Sequence, residues 1–530
     1  MLRRGRILLG LALALGAVCP PAADAAPVPI NPWTAAGGAA AMHGDSAASD
    51  TTPLPGPGTG AVRTRALALG GPCPTVLIGS DGLPLAVCTQ VVDRRPTVFL
   101  LDPATGGRRA SLRLTAGQNL FAGVYPYLDE QDRVVAVDGN GALLRIAHAQ
   151  RSGGRWVLRV VERTPLRPAL AAACGAGLAS GAGSPGGTGN RPGGTHGAVD
   201  CGGVVGLAPD WDGRVWFATE GGVAGFAGRD GAVQTIALGA GERVANSIAT
   251  APAGTAVATD HALYLLRADA SGAPRVVWRA AYDRGAARKP GKLSQGTGST
   301  PTFFGLQLGD EYLAIVDNAA PRERLLVFET SSARQVCAEP VLTAATSGSE
   351  NSPIGIGDSV VVASTYGYPY PAVPAGAGRS VPSAAPFRGG VTRIDVTGDG
   401  GGGRPIRSDS TAGSGGSGRP VRGHSTAGSG GSRCTTRWTS PVRSAAVPKL
   451  SLADGLIYTV GRHSPFGDNR AGLFDTYALT ALDFETGATR ASRPLAATSL
   501  YDTMQLAGNV GARRVLWQGT FSGLLRIAPR

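Results

Sequence analysis

The feature of this sequence that most constrains its fold is a repeated unit of roughly 50 residues. Short apolar strands, such as Tyr312–Val316 and Ser359–Ala363, alternate with Asp-Gly, Gly-Asp or Gly-rich turns along most of the chain. Polar or proline-containing openings at Asn246, Thr300 and Ser352 are 54 and 52 residues apart. Four short strands in a repeat of this length are typical of a β-propeller blade.

The number of blades follows from counting these units. Seven can be counted from Val76 onward, and the segment from Met504 to Ile527 supplies part of an eighth. This last unit needs a strand from the other end of the chain, around Val62 to Leu69, to close the ring and remove its exposed sheet edges. The sequence therefore predicts an all-β propeller of eight four-stranded blades, or of seven if the first unit is irregular. No stretch shows sustained helical periodicity.

The start of the chain predicts export. Arginines precede an apolar run, and a small-residue site ends at Ala25, which is the pattern of a signal peptide over residues 1–25. Residues 26–60 are rich in Pro, Gly and Ala and are expected to form an extended arm, followed by one propeller domain over 61–530. Two Gly/Ser-rich inserts, 175–197 and 398–433, are expected to be disordered because they offer little apolar surface to bury.

Six cysteines follow the predicted signal peptide, and an even number suits an oxidising compartment outside the cytoplasm. Six cysteines allow 15 connectivities, of which sequential pairing is the simplest. No CxxC motif occurs, so a zinc site is not indicated. The expected disulfide cysteines are Cys73, Cys88, Cys174, Cys201, Cys337 and Cys434.

The net charge of +13 does not indicate nucleic-acid binding. The positive charge comes almost entirely from scattered arginines, with no basic helix or interleaved aromatic platform. No segment beyond the predicted signal peptide reaches the roughly 20 apolar residues of a membrane-spanning helix. The expected partner is an unidentified protein or a component of the cell envelope, bound by a monomer.

Several segments of the sequence resemble the quinoprotein-like propellers, the superfamily of pyrroloquinoline-quinone repeat proteins. The segments 31–33, 42–45 and 52–56 are similar to the entry segment before the first blade in that superfamily, and 477–487 resembles its blade repeat. The segments 349–355, 366–368 and 449–452 resemble uncharacterised secreted actinobacterial propellers. The resemblance implies a fold rather than an activity. A quinone-dependent dehydrogenase is the less favoured function, because the vicinal cysteines and regularly repeated tryptophans of that branch are missing.

Candidate ligands for a cation lie near the blade openings. The inner strands of a propeller converge on its central channel, so oxygen atoms from several blades could surround a hard ion such as calcium. The alternative is that these side chains cap turns or line a wet channel. The four residues predicted as a metal site are Glu242, Asn246, Glu350 and Asn351.

Other chemistry-bearing residues are expected to be structural. The alternating tyrosines of 366–370 would pack over a blade edge or form an adhesive loop, and the isolated histidines, His43 among them, would lie in turns or at the surface. No Walker loop, HExxH motif or nucleophile elbow occurs. The sequence thus favours a secreted or envelope-associated binding or scaffold propeller without catalytic activity or an assigned cofactor. A calcium-dependent hydrolase of lactonase or esterase type is the alternative.

Overall fold

The computed structural model describes residues 28–116, 125–179, 201–374, 376–397, 434–465 and 474–530. The predicted signal peptide and the whole of the predicted insert 398–433 lie outside these residues, as does most of the insert 175–197. In the part of the chain that is described, no helix is long and apolar enough to span a membrane.

The strands form eight antiparallel four-stranded sheets arranged as the blades of a ring. In blades 1 to 7 the strands lie side by side in the order of the sequence. The strands of blades 1 to 4 are Thr75–Ile78, Pro84–Thr89, Pro96–Leu101 and Arg108–Arg113; Tyr127–Leu128, Val134–Val137, Ala142–Gln150 and Trp156–Pro165; Val204–Pro209, Val215–Thr219, Val223–Ala227 and Val233–Ala237; and Ala249–Ala251, Gly254–Ala258, Ala262–Ala268 and Pro274–Ala281. Those of blades 5 to 7 are Thr302–Phe304, Tyr312–Val316, Arg324–Glu329 and Gln335–Pro340; Ile354–Ile356, Ser359–Ala363, Val391–Val396 and Cys434–Ser440; and Lys449–Ser451, Leu456–His463, Thr476–Asp483 and Thr489–Ala497.

Blade 8 joins the two ends of the described chain. Its inner strands are Gly508–Gly511, Val515–Thr520 and Gly523–Pro529, and its outermost strand is Val62–Ala68. Val62–Ala68 pairs in antiparallel register with Gly523–Pro529 along its whole length. The prediction of eight blades closed by a strand near residues 62–69 is therefore confirmed.

Apolar runs form the inner strands because both faces of such a strand pack against neighbouring blades. In blade 1 every residue of the three inner strands is buried, whereas the outermost strand, Arg108–Arg113, has no buried residue. Each main apolar cluster joins adjacent blades, and Leu85 of blade 1 and Ile146 of blade 2, for example, belong to the same cluster. The core is thus a series of layers between blades, and it fixes the loops at the two ends of the ring.

The channel along the ring axis is filled by the chain itself. Residues 35–54, here called the channel segment, run past the innermost strands and are mostly buried. Ala39 bonds to blade 1, Ser46 to blade 4, Ala47 to blade 5, Ser49 to blade 6 and Asp50 to blade 7 through their carbonyl oxygens, at N···O distances of 2.7–3.1 Å. Thr51–Thr52 adds a short parallel strand to the inner edge of blade 7. The channel is therefore packed with protein along the described part of this segment.

One α-helix interrupts the otherwise all-β chain in the described residues. Arg167–Ala179 forms this helix between blades 2 and 3. Its sequence, RPALAAACGAGLA, is rich in alanine, which has the highest helix propensity, and the apolar periodicity is too weak to signal a helix.

Three disulfides join the cysteines in sequential pairs. Cys73–Cys88 ties the start of blade 1 to its second strand. Cys337–Cys434 links the outermost strands of blades 5 and 6. Cys174–Cys201 connects the helix to the segment that leads into blade 3.

Candidate functional site

Loops from all blades gather at one end of the ring. Because successive strands in a blade are antiparallel, the connections from second to third strand lie at the same end as the connections from one blade to the next. We call this end the loop face. The predicted site residues Glu242, Asn246, Glu350 and Asn351 all belong to blade-to-blade connections and so start from the loop face.

A buried polar network fixes the channel segment. Asp50 accepts a hydrogen bond from Lys449 Nζ at 2.9 Å, and its other oxygen lies 2.9 Å from His43 Nδ1. Ser352 donates a hydrogen bond to Asp50. Burial works to raise the pKa of Asp50, but the charges of His43 and Lys449 outweigh it and hold this pKa below its ordinary value. His43 lies in the turn between Ala41 and Gly44, as the sequence predicts, but its ring is buried against these partners and is not at the surface.

This network is arranged for structure and does not form an open serine site. In a Ser-His-Asp relay the serine and the aspartate contact opposite ring nitrogens. Here Ser352 and Asp50 both contact Nδ1 of His43. The other nitrogen lies 3.3 Å from Thr300 Oγ1, and Thr300 is 2% exposed. The cavity beside His43 measures only about 20 Å³, enough for about one water molecule.

A larger pocket opens beside the channel at the loop face. It has a volume of about 120 Å³ and is formed by the loops of blades 3 to 6 together with Tyr125. Arg243 and Asn246 line the side towards blade 4, and Gln295 and Glu350 line the side towards blades 5 and 6. The walls thus bring charged and amide groups together with the ring of Tyr125, and convergent polar groups of this kind fix the orientation of a ligand.

Glu350 is the most perturbed acid of this pocket. Its side chain is 2% exposed, and Ser294 Oγ donates a hydrogen bond of 3.0 Å to its Oε1. Burial raises its pKa to about 7, an effect that the charge of Lys292 reduces only in part. Gly298 packs against the carboxylate, where a Cβ would overlap Oε2. Glu350 therefore changes its charge near neutral pH, as general acids and bases do.

Asn246 connects the two sides of the pocket. Its Oδ1 accepts a hydrogen bond of 3.0 Å from the Tyr125 hydroxyl, and its Nδ2 donates to the carbonyl oxygen of Gly298. Because Gly298 also contacts Glu350, this glycine links Asn246 on one side of the pocket to Glu350 on the other. Both side chains are held by protein groups and are preorganised for a ligand.

The roof of the pocket comes from blade 6. The connection between its second and third strands, 364–390, crosses over to the segment before blade 5 and contributes Pro374, Gly376 and Ala377 to the lining. Its start is fixed by Thr365, whose hydroxyl donates to the carbonyl oxygen of Gly291 at 2.7 Å. Gly291 has φ +81°, and a Cβ there would overlap the Thr365 carbonyl oxygen, so this crossing requires glycine.

The tyrosines of the same connection pack inward. Tyr368 is buried and donates a hydrogen bond of 2.6 Å to Asp502, and Tyr370 donates one of 3.0 Å to Gln505. The rings of Tyr368 and Tyr370 meet edge to face at 4.7 Å. These two tyrosines therefore hold the blade 6 connection onto the segment before blade 8.

The structure brings only some of the predicted metal ligands together. Asn246 and Glu350 both line the pocket, and Asn351 lies next to Glu350 but donates towards the carbonyl oxygens that precede blade 7. Glu242 points away from them and is held by Arg279 at 2.6 Å and by Tyr264 at 2.9 Å, both on the outer strands of blade 4. Within the described ranges, no three His, Cys, Asp or Glu side chains form a group that could hold a metal ion. Calcium binding stays a prediction.

Comparisons with known proteins return only distant structural likeness. No protein-family model and no curated protein matches the sequence. Among solved structures, the chain is similar to the β-propeller domain of Cps50 (Swd1) from Myceliophthora thermophila, with 9% identity, a TM-score of 0.38 and coverage of 88% of this chain and 99% of that one. It is also similar to a catalytically inactive virginiamycin B lyase from Staphylococcus aureus, with 12% identity, a TM-score of 0.33 and coverage of 58% and 82%. At this distance the likeness carries no inference about activity.

Proposed function

We propose that this chain is a binding propeller that acts outside the cytoplasm and takes a small polar ligand in the loop-face pocket. One observation carries the proposal. The channel segment fills the ring axis and bonds to the channel's own polar groups, whereas the pocket of about 120 Å³ stays open beside it. Preformed concave sites with a few fixed polar groups are the usual places where small ligands bind.

The proposed compartment rests on covalent chemistry and on the start of the sequence. Three disulfides form and persist most readily in an oxidising environment. The predicted signal peptide supports the same location. We also propose that the chain is related to the quinoprotein-like superfamily. This part of the proposal rests on the resemblance of segments 31–33, 42–45, 52–56 and 477–487.

Ligand binding can be tested with a variant that fills the pocket. Ala245 lines the pocket, so Ala245→Trp should occupy it, whereas Ala232→Trp places the same bulk on an exposed turn of blade 3 at the opposite end of the ring. The melting temperature is measured with monosaccharides, uronic acids, amino acids and dipeptides. A ligand at a hundredfold excess over its dissociation constant adds about 2.7 kcal/mol to stability.

The expected result is a ligand that raises the melting temperature of the wild type and of Ala232→Trp but not of Ala245→Trp. An equal rise in all three proteins would place the binding site elsewhere on the molecule.

A second function, hydrolysis, is favoured by one observation, the pKa of about 7 of Glu350 in the pocket wall. Such a group can exchange a proton with a substrate near neutral pH. The test is turnover of p-nitrophenyl acetate and of γ-butyrolactone, with calcium and with a chelator. If the wild type turns over a substrate and Glu350→Gln does not, the protein is a hydrolase and the binding proposal is wrong. If turnover also requires calcium, the predicted cation site is supported.

A further inference from the structure

A cluster of arginines lies on the outer edge of the ring where blade 8 meets blade 1. Arg63 and Arg65 belong to the closing strand Val62–Ala68, are both exposed, and share one face because they are two residues apart. Arg65 stands directly opposite Arg526 in the strand pairing. We call Arg63, Arg65 and Arg526 the blade 8 arginine cluster.

Placing these side chains together is electrostatically unfavourable. Like charges directly opposite each other on neighbouring strands destabilise a sheet. Burial lowers the pKa of Arg526, and the charges of Arg65 and Arg63 lower it further. The acid that acts on Arg526, Asp102, is already bonded to Arg109 at 2.7 Å. Arg526 also donates a hydrogen bond of 3.2 Å to the carbonyl oxygen of Pro103 and lies over the ring of Trp517. Neither partner carries a negative charge, so the three positive charges of the cluster exceed the single negative charge of Asp102.

Another pair of opposed arginines in the same ring has acidic neighbours that offset its charge. Arg267 and Arg275 of blade 4 also stand directly opposite each other, and both are exposed. Each has its own acidic neighbour, since Asp310 interacts with Arg267 and Asp269 with Arg275. Charged residues on an outer strand can prevent edge-to-edge aggregation. That role does not require two arginines to stand opposite each other without acidic partners.

The spacing of the cluster suits a repeating anion. Residues two apart on a strand are separated by about 7 Å, and directly opposed residues by about 5 Å. Guanidinium groups bind phosphate and carboxylate through paired hydrogen bonds. We propose that the blade 8 arginine cluster binds a linear polymer that carries repeated phosphodiester or carboxylate groups, and so holds the propeller on an anionic surface.

This site is independent of the loop-face pocket, because it lies on the outermost strand of blade 8 and the strand paired with it, whereas the pocket is formed by loops of blades 3 to 6. The groups that would recognise the ligand are guanidinium groups, which favours a flexible anionic polymer over a folded protein partner. Nucleic acid is the less suitable polyanion, since the cluster lacks the recognition helix or stacking platform that such binding uses.

The test uses the mature chain and two fluorescent probes, a polyphosphate chain and polygalacturonate, which separate phosphate from carboxylate recognition. Arg63→Gln/Arg65→Gln removes two exposed charges from the cluster. Arg267→Gln/Arg275→Gln removes two from the compensated pair and is the matched control for net charge. Binding is followed by fluorescence anisotropy at about 50 mM and about 200 mM salt, because polyanion binding depends on counterion release.

The expected result is that Arg63→Gln/Arg65→Gln weakens binding of at least one probe about tenfold at the lower salt and flattens its salt dependence. The control should change affinity less than about twofold. Unchanged melting curves for both variants confirm that each is folded. Equal losses in the two variants, or no binding of either probe by the wild type, would overturn the proposal, as would tighter cluster-dependent binding of a duplex DNA probe.

Discussion

Replacing the buried acid Glu350 by glutamine should stabilise the protein at alkaline pH. The ordinary pKa of a glutamate is 4.5, and burial raises that of Glu350 to about 7. The folded protein therefore holds this proton more tightly than the unfolded chain does. The contribution of Glu350 to stability is fully present below pH 4.5 and is lost as the pH rises to about 7.

The size of this loss follows from the two pKa values. At about 1.4 kcal/mol per pKa unit, the change from 4.5 to about 7 corresponds to about 3 kcal/mol. Glutamine has nearly the same shape and no charge to desolvate. Glu350→Gln should thus raise the free energy of unfolding by up to about 3 kcal/mol at pH 8 and by little at pH 4.5.

Urea denaturation of both proteins at the two pH values measures this difference. Glu130→Gln, at an exposed turn of blade 2, is the control and should have little effect at either pH. If Glu350→Gln is less stable than the wild type at pH 8, or differs from it equally at both pH values, the reasoning is refuted. A stabilising replacement would also show that the chain keeps an acid at a cost in stability, as proteins do at functional sites.

Three further predictions concern other groups of the protein. Lys449→Met should lower the free energy of unfolding by about 3–5 kcal/mol in a urea titration, because it leaves Asp50 charged and buried. As a control, breaking the exposed ion pair between Arg490 and Asp483 should lower it by less than about 1 kcal/mol. Replacing both Cys174 and Cys201 by serine should reduce stability by about 3–4 kcal/mol by thermal denaturation, since the bridge closes a loop of 27 residues. All three lysines of the chain are buried, so an amine-reactive ester should modify only the α-amino group until urea unfolds the protein, as read by peptide mass spectrometry.

The ring and its closure could be predicted from the sequence because they depend on local patterns. Apolar runs between Asp-Gly turns mark each blade wherever they occur, and the partial last unit requires a strand from the other end of the chain. The strands Tyr312–Val316 and Ser359–Ala363 have the bounds that the sequence indicates. The disulfide connectivity could also be predicted from the sequence, because each bridge joins two cysteines that follow each other along the chain.

The channel segment and the pocket could not be predicted in the same way. His43, Asp50 and Lys449 are as much as about 400 residues apart, and no spacing rule connects them. A lysine between Pro448 and Leu450 gives one available signal, because a charge in an apolar opening strand needs a buried partner. The direction of Glu242, turned outward to Arg279, depends on side-chain contacts that a repeat pattern does not encode.

The joining of the ring by residues 62–68 and 523–529 has a consequence for the time course of folding. Strands that pair across more than 450 residues bring a large loss of chain entropy before their contacts form, and such distant pairings fold slowly. The channel segment adds to the delay, because it bonds to blades from the first to the seventh and must be enclosed before the ring closes. Until blade 8 is complete, the open ring exposes two unpaired strand edges, so the interval between synthesis and closure is when this chain is most open to aggregation and most dependent on protection by chaperones.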